Sequence, residues 1–283
     1  MRKLVAAFSL VASLVAGAGI SGVAWAQPYT PNEAGVTMGH WHLNSRDIEA
    51  NKKIFVALGG TAVKAGDFDV VRFPGVQVYL NLRPGTPAAT GDTVGTVVNH
   101  VGFLVPNVQA AVAKLKDLNV TIATGPNGID GRLDQAFVTT ADGLKLEFLE
   151  DKNQTTPIRH HHVHFYVAES AIADMQAWYA KVFGAKPGMR GKFQAADIPG
   201  ANLTFTKSDT PTVATKGHVL DHIGIDVTDI NAFLKKAEAA GVKPVVAPTQ
   251  NPKNGVWLAF IQDPWGTYIE INQRPNQTYL SQM

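Results

Sequence analysis

Four short segments of this 283-residue chain begin with histidine and continue with strand-forming residues. Each has an aliphatic or aromatic residue in fourth position, and three of the four end in valine. Runs of β-branched and aromatic residues are typical of β-strands, and their recurrence indicates repeated units. The segments are His40-Trp-His-Leu-Asn-Ser45, His100-Val-Gly-Phe-Leu-Val105, His162-Val-His-Phe-Tyr-Val167 and His222-Ile-Gly-Ile-Asp-Val227.

Each histidine segment is followed by apolar residues at helical spacing, which predicts a helix after every strand. Asn107 and Asp229 are suitable N-caps, and Gly184 and Gly241 are suitable helix ends. Short strand-like runs then follow each helix. The repeated unit is therefore βαβββ, an α+β arrangement, with helices predicted over residues 47–58, 108–118, 170–183 and 229–240.

The repeat also places metal-binding residue types at matching intervals. His40 and His100 are 60 residues apart, as are His162 and His222. Glutamate follows the second histidine of each pair, after 47 residues in one case and 48 in the other. Two imidazoles and one carboxylate suit an open divalent-metal site. We therefore predict two metal sites, one from His40, His100 and Glu147 and one from His162, His222 and Glu270.

Other histidines lie close to the predicted ligands. Alternate residues of a strand share a face, so His42 and His164 should point the same way as His40 and His162. We expect them to serve as acid–base groups or as partners that orient the ligands. Hydrogen-bonded core positions for the histidines, and exposed strand faces for the glutamates, are the alternatives. Three histidines that repeat poorly are expected at the surface, namely His160, His161 and His218.

The first residues predict an export signal. Arg2 and Lys3 form a positive start, an apolar stretch rich in alanine and glycine follows, and Ala24-Trp-Ala26 fits a cleavage site. We predict a signal peptide over residues 1–26 and a periplasmic or secreted mature protein. An uncleaved membrane anchor is the alternative.

Composition excludes several classes of function. The chain has 25 basic and 23 acidic side chains, and two of the basic ones belong to the signal, so the mature protein is formally neutral. The sequence has no stripe of basic residues that would favour nucleic acid as a partner. The absence of cysteine excludes disulfides, thiolate catalysis and sulfur-ligated zinc. We expect a small-molecule substrate and no membrane association after signal cleavage, and a homo-oligomer is compatible with the sequence.

Two stretches resemble the vicinal oxygen chelate superfamily, which includes glyoxalases, bleomycin-resistance proteins and extradiol dioxygenases. His162-Val-His-Phe-Tyr-Val167 followed by Trp178-Tyr-Ala-Lys-Val-Phe-Gly184 is similar to its first strand and helix. Phe260-Ile-Gln-Asp-Pro-Trp-Gly-Thr-Tyr-Ile-Glu270 resembles its closing hairpin. The resemblance extends over about residues 38–272.

This resemblance implies four βαβββ modules that pair into two open barrels, each around one metal ion. Consecutive modules would pair, so that residues 27–151 form a first domain and residues 158–273 a second, with a tail at 274–283. The donor set suits Fe(II) or Mn(II), with Zn(II), Ni(II) and Co(II) as alternatives. Such an ion would act as a Lewis acid toward two substrate oxygens.

Departures from the family patterns limit which reactions we expect this chain to catalyse. Glyoxalase I enzymes carry an acidic ligand on the last strand of each module, where this chain has Tyr79 and Thr204 in the odd modules. Extradiol dioxygenases carry a tyrosine ten residues before the ligand glutamate, where this chain has Phe137 and Phe260. We expect a lyase- or isomerase-like metal enzyme acting on a substrate chelated through vicinal oxygens. The alternatives are an Fe(II)-dependent extradiol-type dioxygenase and a non-catalytic binding protein of the bleomycin-resistance type.

Overall fold

The computed structural model describes residues 28–123 and 133–277. The predicted signal peptide, residues 1–26, and the end of the predicted tail, residues 278–283, lie outside these ranges. Within them, no helix has both the length and the apolar character needed to cross a bilayer.

The first two predicted modules are present, each with one strand, one helix and three further strands. The first contains β1 (Val36–Leu43), α1 (Ile48–Ala57), β2 (Thr61–Ala65), β3 (Phe68–Phe73) and β4 (Val76–Tyr79). The second contains β5 (Val98–Val105), α2 (Val108–Ala113), β6 (Thr121–Ala123), β7 (Gln135–Thr139) and β8 (Lys145–Glu150).

The last two modules repeat the same order of elements. The third contains β9 (Arg159–Val167), a 3-10 turn (Glu169–Ala171), α3 (Ile172–Phe183), β10 (Lys186–Arg190), β11 (Phe193–Ile198) and β12 (Ala201–Lys207). The fourth contains β13 (Leu220–Val227), α4 (Ile230–Ala239), β14 (Val246–Gln250), β15 (Trp257–Gln262) and β16 (Tyr268–Gln273).

Local capping explains where the helices begin and end. Asp47, Asn107 and Asp229 adopt extended backbone before α1, α2 and α4, and their side chains accept hydrogen bonds from first-turn amides. Helix α3 ends at Gly184, whose φ of 64° lies in the left-handed region that glycine adopts without steric cost. The predicted caps at Asn107 and Asp229 are therefore confirmed, whereas α2 is shorter than the predicted 108–118.

The strands form two open eight-stranded sheets. One has the order β14-β15-β16-β13-β1-β4-β3-β2 and so joins the fourth module to the first. The other has the order β10-β11-β12-β9-β5-β8-β7-β6 and joins the third to the second. The predicted α+β class with paired modules is confirmed, but the prediction that consecutive modules pair is wrong. Neither 27–151 nor 158–273 contributes a complete sheet by itself.

Connector lengths account for this pairing. Only residues 151–158 join β8 to β9, which lies on the other side of β5 in the same sheet. This crossing is held by hydrogen bonds from the Gln154 side chain to the Leu104 carbonyl and from the Asp151 amide to the Val105 carbonyl. Because so short a connection keeps the third module beside the second, the first and fourth modules are left to pair with each other.

The linker between β4 and β5 hydrogen-bonds to the linker between β12 and β13. Each of these linkers passes from one sheet to the other. The Val97 amide donates to the Val213 carbonyl, and the Val213 amide donates to the Gly95 carbonyl. Thr96 and Thr215 are buried. The linkers can be partly buried because their backbone groups bond to one another rather than to water.

The core between the sheets contains one of the histidines expected at the surface. His160 is buried, and its ring centroid lies 5.0 Å from that of Trp41, which in turn lies 5.1 Å from Phe103. The prediction for His160 is wrong because the β5–β9 register shifts between Gly102 and Phe103. A bulge of this kind breaks the alternation of faces along a strand, so His160 and His162 point in different directions. His161 and His218 are partly exposed.

Two glycines allow the central strands to approach each other. His40 lies opposite Gly224 in the β1–β13 pair, and His162 lies opposite Gly102 in the β5–β9 pair. A Cβ on Gly224 would lie 1.9 Å from Cε1 of His40, and one on Gly102 would lie 2.0 Å from Cε1 of His162. Any side chain at either position would therefore displace the opposite imidazole.

We predict that Gly224→Ala lowers the free energy of unfolding by roughly 1–3 kcal/mol, because the added methyl group overpacks a buried site. Gly188→Ala is the matched control, since a Cβ there meets no atom within 4 Å. That control should change stability by no more than about 0.5 kcal/mol. Urea unfolding measures both variants, and equal effects would contradict the close-approach explanation.

Candidate metal centres

The first cluster consists of His40, His42, His222 and Glu270, all buried or nearly so. Strand β1 supplies the first two, β13 supplies His222 and β16 supplies Glu270. The glutamate Oε2 lies 2.9 Å from Nε2 of His222 and 3.5 Å from Nε2 of His40. One candidate ligand atom from each of the four residues lies within 4.8 Å of all the others, which is compatible with a single metal ion.

The second cluster consists of His100, Glu147, His162 and His164 and comes from β5, β8 and β9. Oε2 of Glu147 lies 3.0 Å from Nε2 of His100 and 2.8 Å from Nε2 of His162. Nδ1 of His164 lies 3.1 Å from Nε2 of His100. The two clusters thus have the same donor composition and equivalent positions in the two sheets.

The structure groups the predicted residues differently from the sequence. All six predicted ligands lie in the clusters, but each cluster takes one predicted histidine from one half of the chain and a histidine–glutamate pair from the other. The predicted triples His40/His100/Glu147 and His162/His222/Glu270 are wrong as groups. The reason is the pairing of strands β1 with β13 and β5 with β9. His42 and His164 lie in the same two clusters as the predicted ligands.

Hydrogen bonds donated by the outer ring nitrogens orient the histidines. Nδ1 of His222 lies 2.6 Å from Oδ1 of Asp221, and Nδ1 of His100 lies 2.8 Å from Oδ1 of Asn99. With a metal ion bound at Nε2, the ring proton would stay on Nδ1, where these oxygens accept it. Nε2 of His42 lies 2.7 Å from the Asn81 carbonyl oxygen and therefore carries the proton, which leaves Nδ1 to face the cluster.

The glutamates are oriented in the same manner. Oε1 of Glu270 accepts a hydrogen bond of 2.7 Å from the Asn272 side chain, and Oε1 of Glu147 accepts one from Gln135. In each case Oε2 is left facing the histidines. Asn272 belongs to the strand of its own glutamate, whereas Gln135 belongs to the neighbouring strand β7. The two modules therefore reach the same carboxylate orientation with different residues.

Burial and neighbouring charges shift the pKa values of all the donors. Burial would raise the pKa of Glu147 and of Glu270, but contacts with the facing histidines outweigh it and hold both pKa values well below the usual range. Burial lowers the pKa of His222, yet Asp221 and Glu270 outweigh it and raise that pKa to about 9. Burial is the main reason that the pKa is lowered for His40, His42, His100, His162 and His164.

The donors fit a divalent ion. Both ring nitrogens of His40 and Nδ1 of His42 are buried without a hydrogen-bond partner among the described residues. Buried polar atoms without partners are costly, and a metal ion would satisfy those that face a cluster. Nitrogen and oxygen donors without sulfur suit Fe(II), Mn(II), Zn(II), Ni(II) or Co(II).

The residues that depart from the family patterns lie beside the clusters. Tyr79 pairs with His42 in the sheet, and Thr204 pairs with His164. The rings of Phe137 and Phe260 lie edge-on to His100 and His222, at 5.3 Å and 5.2 Å between centroids. No hydroxyl group is therefore available at the two phenylalanine positions.

Sequence reasoning missed several residues that contact the clusters. Asp221 and Asn99 each precede a ligand histidine, a spacing that could have identified them. Arg190 lies beside the second cluster, with Nη1 3.1 Å from Nδ1 of His162 and Nη2 3.8 Å from Oε2 of Glu147. Nothing in the sequence around Arg190 indicates this position, because it depends on where the edge strand β10 lies in the sheet.

Solved structures share this fold. Glyoxalase I of Zea mays superposes with a TM-score of 0.62 at 18% identity, covering 84% of this chain and 92% of that chain. A point mutant of the same maize enzyme gives a TM-score of 0.63 at 17% identity, covering 84% and 94%. A candidate dioxygenase of Bacillus subtilis subsp. subtilis str. 168 gives 0.59 at 15% identity, covering 91% and 93%. At these identities the likeness concerns the fold.

A family model supports the same relationship from the sequence side. Residues 159–271, which comprise the third and fourth modules, match the Glyoxalase/Bleomycin resistance protein/Dioxygenase superfamily. The first and second modules repeat the same order of elements and the same donor positions. The resemblance predicted from the histidine strand and the closing hairpin is thus confirmed: the third and fourth modules match the model of this superfamily, and the fold of the chain is similar to that of maize glyoxalase I.

Proposed function

We propose that this protein is an exported, divalent-metal-dependent enzyme that acts on a small substrate chelated through two adjacent oxygens, with lyase- or isomerase-like chemistry. The observation that carries the proposal is the convergence of three histidines and one glutamate in each of two buried clusters. A protein that only sequesters a ligand would have no need to bury two oriented donor sets of this kind.

A bound metal would supply Lewis acidity, which acidifies a carbon or hydroxyl group next to the coordinated oxygens. His40, His222 and Glu270 would hold it in the first cluster. His100, His162 and Glu147 would hold it in the second. The rings of Phe260 and Phe137 stand edge-on to His222 and His100 and so border the two clusters.

His42 and His164 are the groups best placed to accept a proton. Nε2 of His42 is engaged by the Asn81 carbonyl, and Nε2 of His164 lies 2.6 Å from Oγ1 of Thr206. Each ring therefore turns Nδ1 toward its cluster, within reach of a substrate bound there. The carboxylates are less suitable because their second oxygens are already occupied by Asn272 and Gln135.

The donor grouping seen in the structure and the grouping predicted from sequence spacing give opposite expectations for the metal content of two double variants. We expect the purified protein to bind two ions of Mn(II) or Fe(II) per chain, and the double variant His40→Ala/Glu270→Ala to bind one. The matched variant His40→Ala/Glu147→Ala disturbs both clusters and should bind neither ion tightly. Calorimetric titration with elemental analysis measures the stoichiometry. If the first variant lost both ions and the second lost one, the structural grouping would be incorrect.

Metal-dependent proton exchange tests the reaction class. With Mn(II) bound, we expect the protein to exchange deuterium at the carbon beside the carbonyl of a small α-hydroxycarbonyl compound, as measured by NMR in D₂O. His42→Gln and His164→Gln should retain metal but each abolish exchange at its own cluster, roughly a 10²-fold loss or more. Oxygen uptake with a catechol and no exchange would instead support the extradiol-type dioxygenase. Neither reaction with metal bound would support a binding protein.

Export is tested on the full chain produced in a bacterial host that has a periplasm. We expect the mature protein outside the cytoplasm with Gln27 as its first residue, measured by intact mass. Ala24→Asp/Ala26→Asp should block cleavage because the processing site requires small residues. Recovery of the uncleaved wild-type chain in the membrane fraction would support the anchor alternative.

A further inference from the structure

The two clusters differ at one equivalent position. Ala65 ends β2 and pairs with Phe68, and Arg190 ends β10 and pairs with Phe193. These phenylalanines stand edge-on to His42 and His164, at 5.4 Å and 5.5 Å between ring centroids. The two positions therefore have the same relation to their clusters, and only the second cluster has an arginine there.

The guanidinium of Arg190 is directed at the second cluster rather than at solvent. Nη1 lies 3.1 Å from Nδ1 of His162, and Nη2 lies 3.4 Å from Nδ1 of His164. Nε is buried without a hydrogen-bond partner among the described residues. The side chain keeps 19% of its surface exposed, so a small ligand can reach it from solvent.

Within the part of the chain that the structure describes, Arg190 has no carboxylate of its own. The nearest is Glu147, at 3.8 Å, whose Oε2 already contacts two histidines. Arg274 near the first cluster shows the contrast, because its Nε donates to Asp226 at 3.1 Å in a buried ion pair. The position equivalent to Asp226 in the second module is Leu104, which cannot neutralise an arginine.

Metal binding would also remove one of the hydrogen bonds that Arg190 donates. A histidine that binds metal through Nε2 keeps its proton on Nδ1, so His162 could then no longer accept a hydrogen bond from Nη1. Nδ1 of His161 lies 2.9 Å away and can accept the His162 proton instead. The guanidinium would be left with unused donors beside the ion.

The net charges of the two clusters also indicate that the second favours an anion more than the first. The first has Glu270 and Asp221 as negative groups, and the Asp226–Arg274 pair cancels, so a divalent ion brings it to neutrality. The second has Glu147 balanced by Arg190, with neutral Asn99 in place of Asp221, so a divalent ion leaves two positive charges. A lysine stacks near each cluster, Lys145 over Phe137 and Lys216 over Tyr268, and does not distinguish them.

We propose that the second cluster is built for a chelating substrate that carries a carboxylate, of the 2-hydroxy or 2-oxo acid class, and that Arg190 binds this carboxylate. The first cluster lacks the arginine and does not favour an anion. A planar guanidinium is well suited to a carboxylate because it can donate two parallel hydrogen bonds. This inference rests on the proposed function, in which both clusters hold a divalent metal.

Oxalate, a dianion with adjacent oxygens, is the probe. His40→Ala/Glu270→Ala leaves only the second cluster to be loaded with Co(II), and His100→Ala/Glu147→Ala leaves only the first. Calorimetry measures oxalate binding in each background, while the visible cobalt spectrum shows that the metal stays bound. We expect oxalate to bind the second cluster about 10- to 100-fold more tightly, the effect of a hydrogen bond to a charged group.

Exchange of the arginine between the two positions tests its role directly. Arg190→Ala should remove the preference of the second cluster, and Ala65→Arg should tighten oxalate binding at the first. Lys192→Ala, which removes an exposed positive charge two residues away, should leave the affinity unchanged. Arg190→Lys should recover part of the affinity, which separates charge from any effect on folding.

Two results would overturn the inference. One is equal oxalate affinity of the two clusters with cobalt bound in each. The other is an Arg190→Ala variant that keeps its cobalt spectrum and its full affinity. Failure of cobalt to bind in every background, including the wild type, would instead overturn the proposed function, and the cobalt spectrum separates the two cases.

Discussion

The antiparallel pairing of histidine-bearing strands from opposite halves of the chain determines the rest of this structure. β1 pairs with β13 and β5 with β9, which places His42 opposite His222 and His100 opposite His164. The same register places a glycine opposite each of the remaining histidines, so that their rings fit between the strands. Each cluster is therefore completed only when distant modules come together, and metal binding should be coupled to correct pairing of the modules.

Burial of so many ionisable groups is tolerated because the charged ones face groups of opposite charge or hydrogen-bonding partners, and the others are neutral. The histidines are kept neutral by burial or hold a proton next to a carboxylate, and the glutamates stay charged because imidazoles face them. Hydrogen bonds donated to Asp221 and Asn99, and hydrogen bonds received from Asn272 and Gln135, then decide which atom of each ligand faces the centre. A divalent ion would complete the arrangement by satisfying ring nitrogens that otherwise have no partner.

The two clusters show how repeated modules can keep a donor set and change its surroundings. Aspartate beside His222 makes that imidazole a more basic ligand than His100, which has only an amide beside it. Arg190 replaces the alanine found at the equivalent position of the first module. These changes alter the charge that a bound substrate experiences without altering the ligands, so the two clusters need not accept the same molecules.

By itself, the sequence determined the four βαβββ modules, the helix caps and the identity of the donor residues. These follow from short-range periodicity, capping preferences and the recurrence of histidine and glutamate, all of which are local properties. It did not determine which modules pair. Every module repeats its donors at the same position, so the spacing between His40, His100, His162 and His222 fits either pairing equally well. Only the tertiary structure decided this, because the short crossing at residues 151–158 keeps the second and third modules in one sheet. It also decided the burial of His160 at a bulge and the approach of Arg190 from an edge strand, since both depend on contacts between residues distant in the chain.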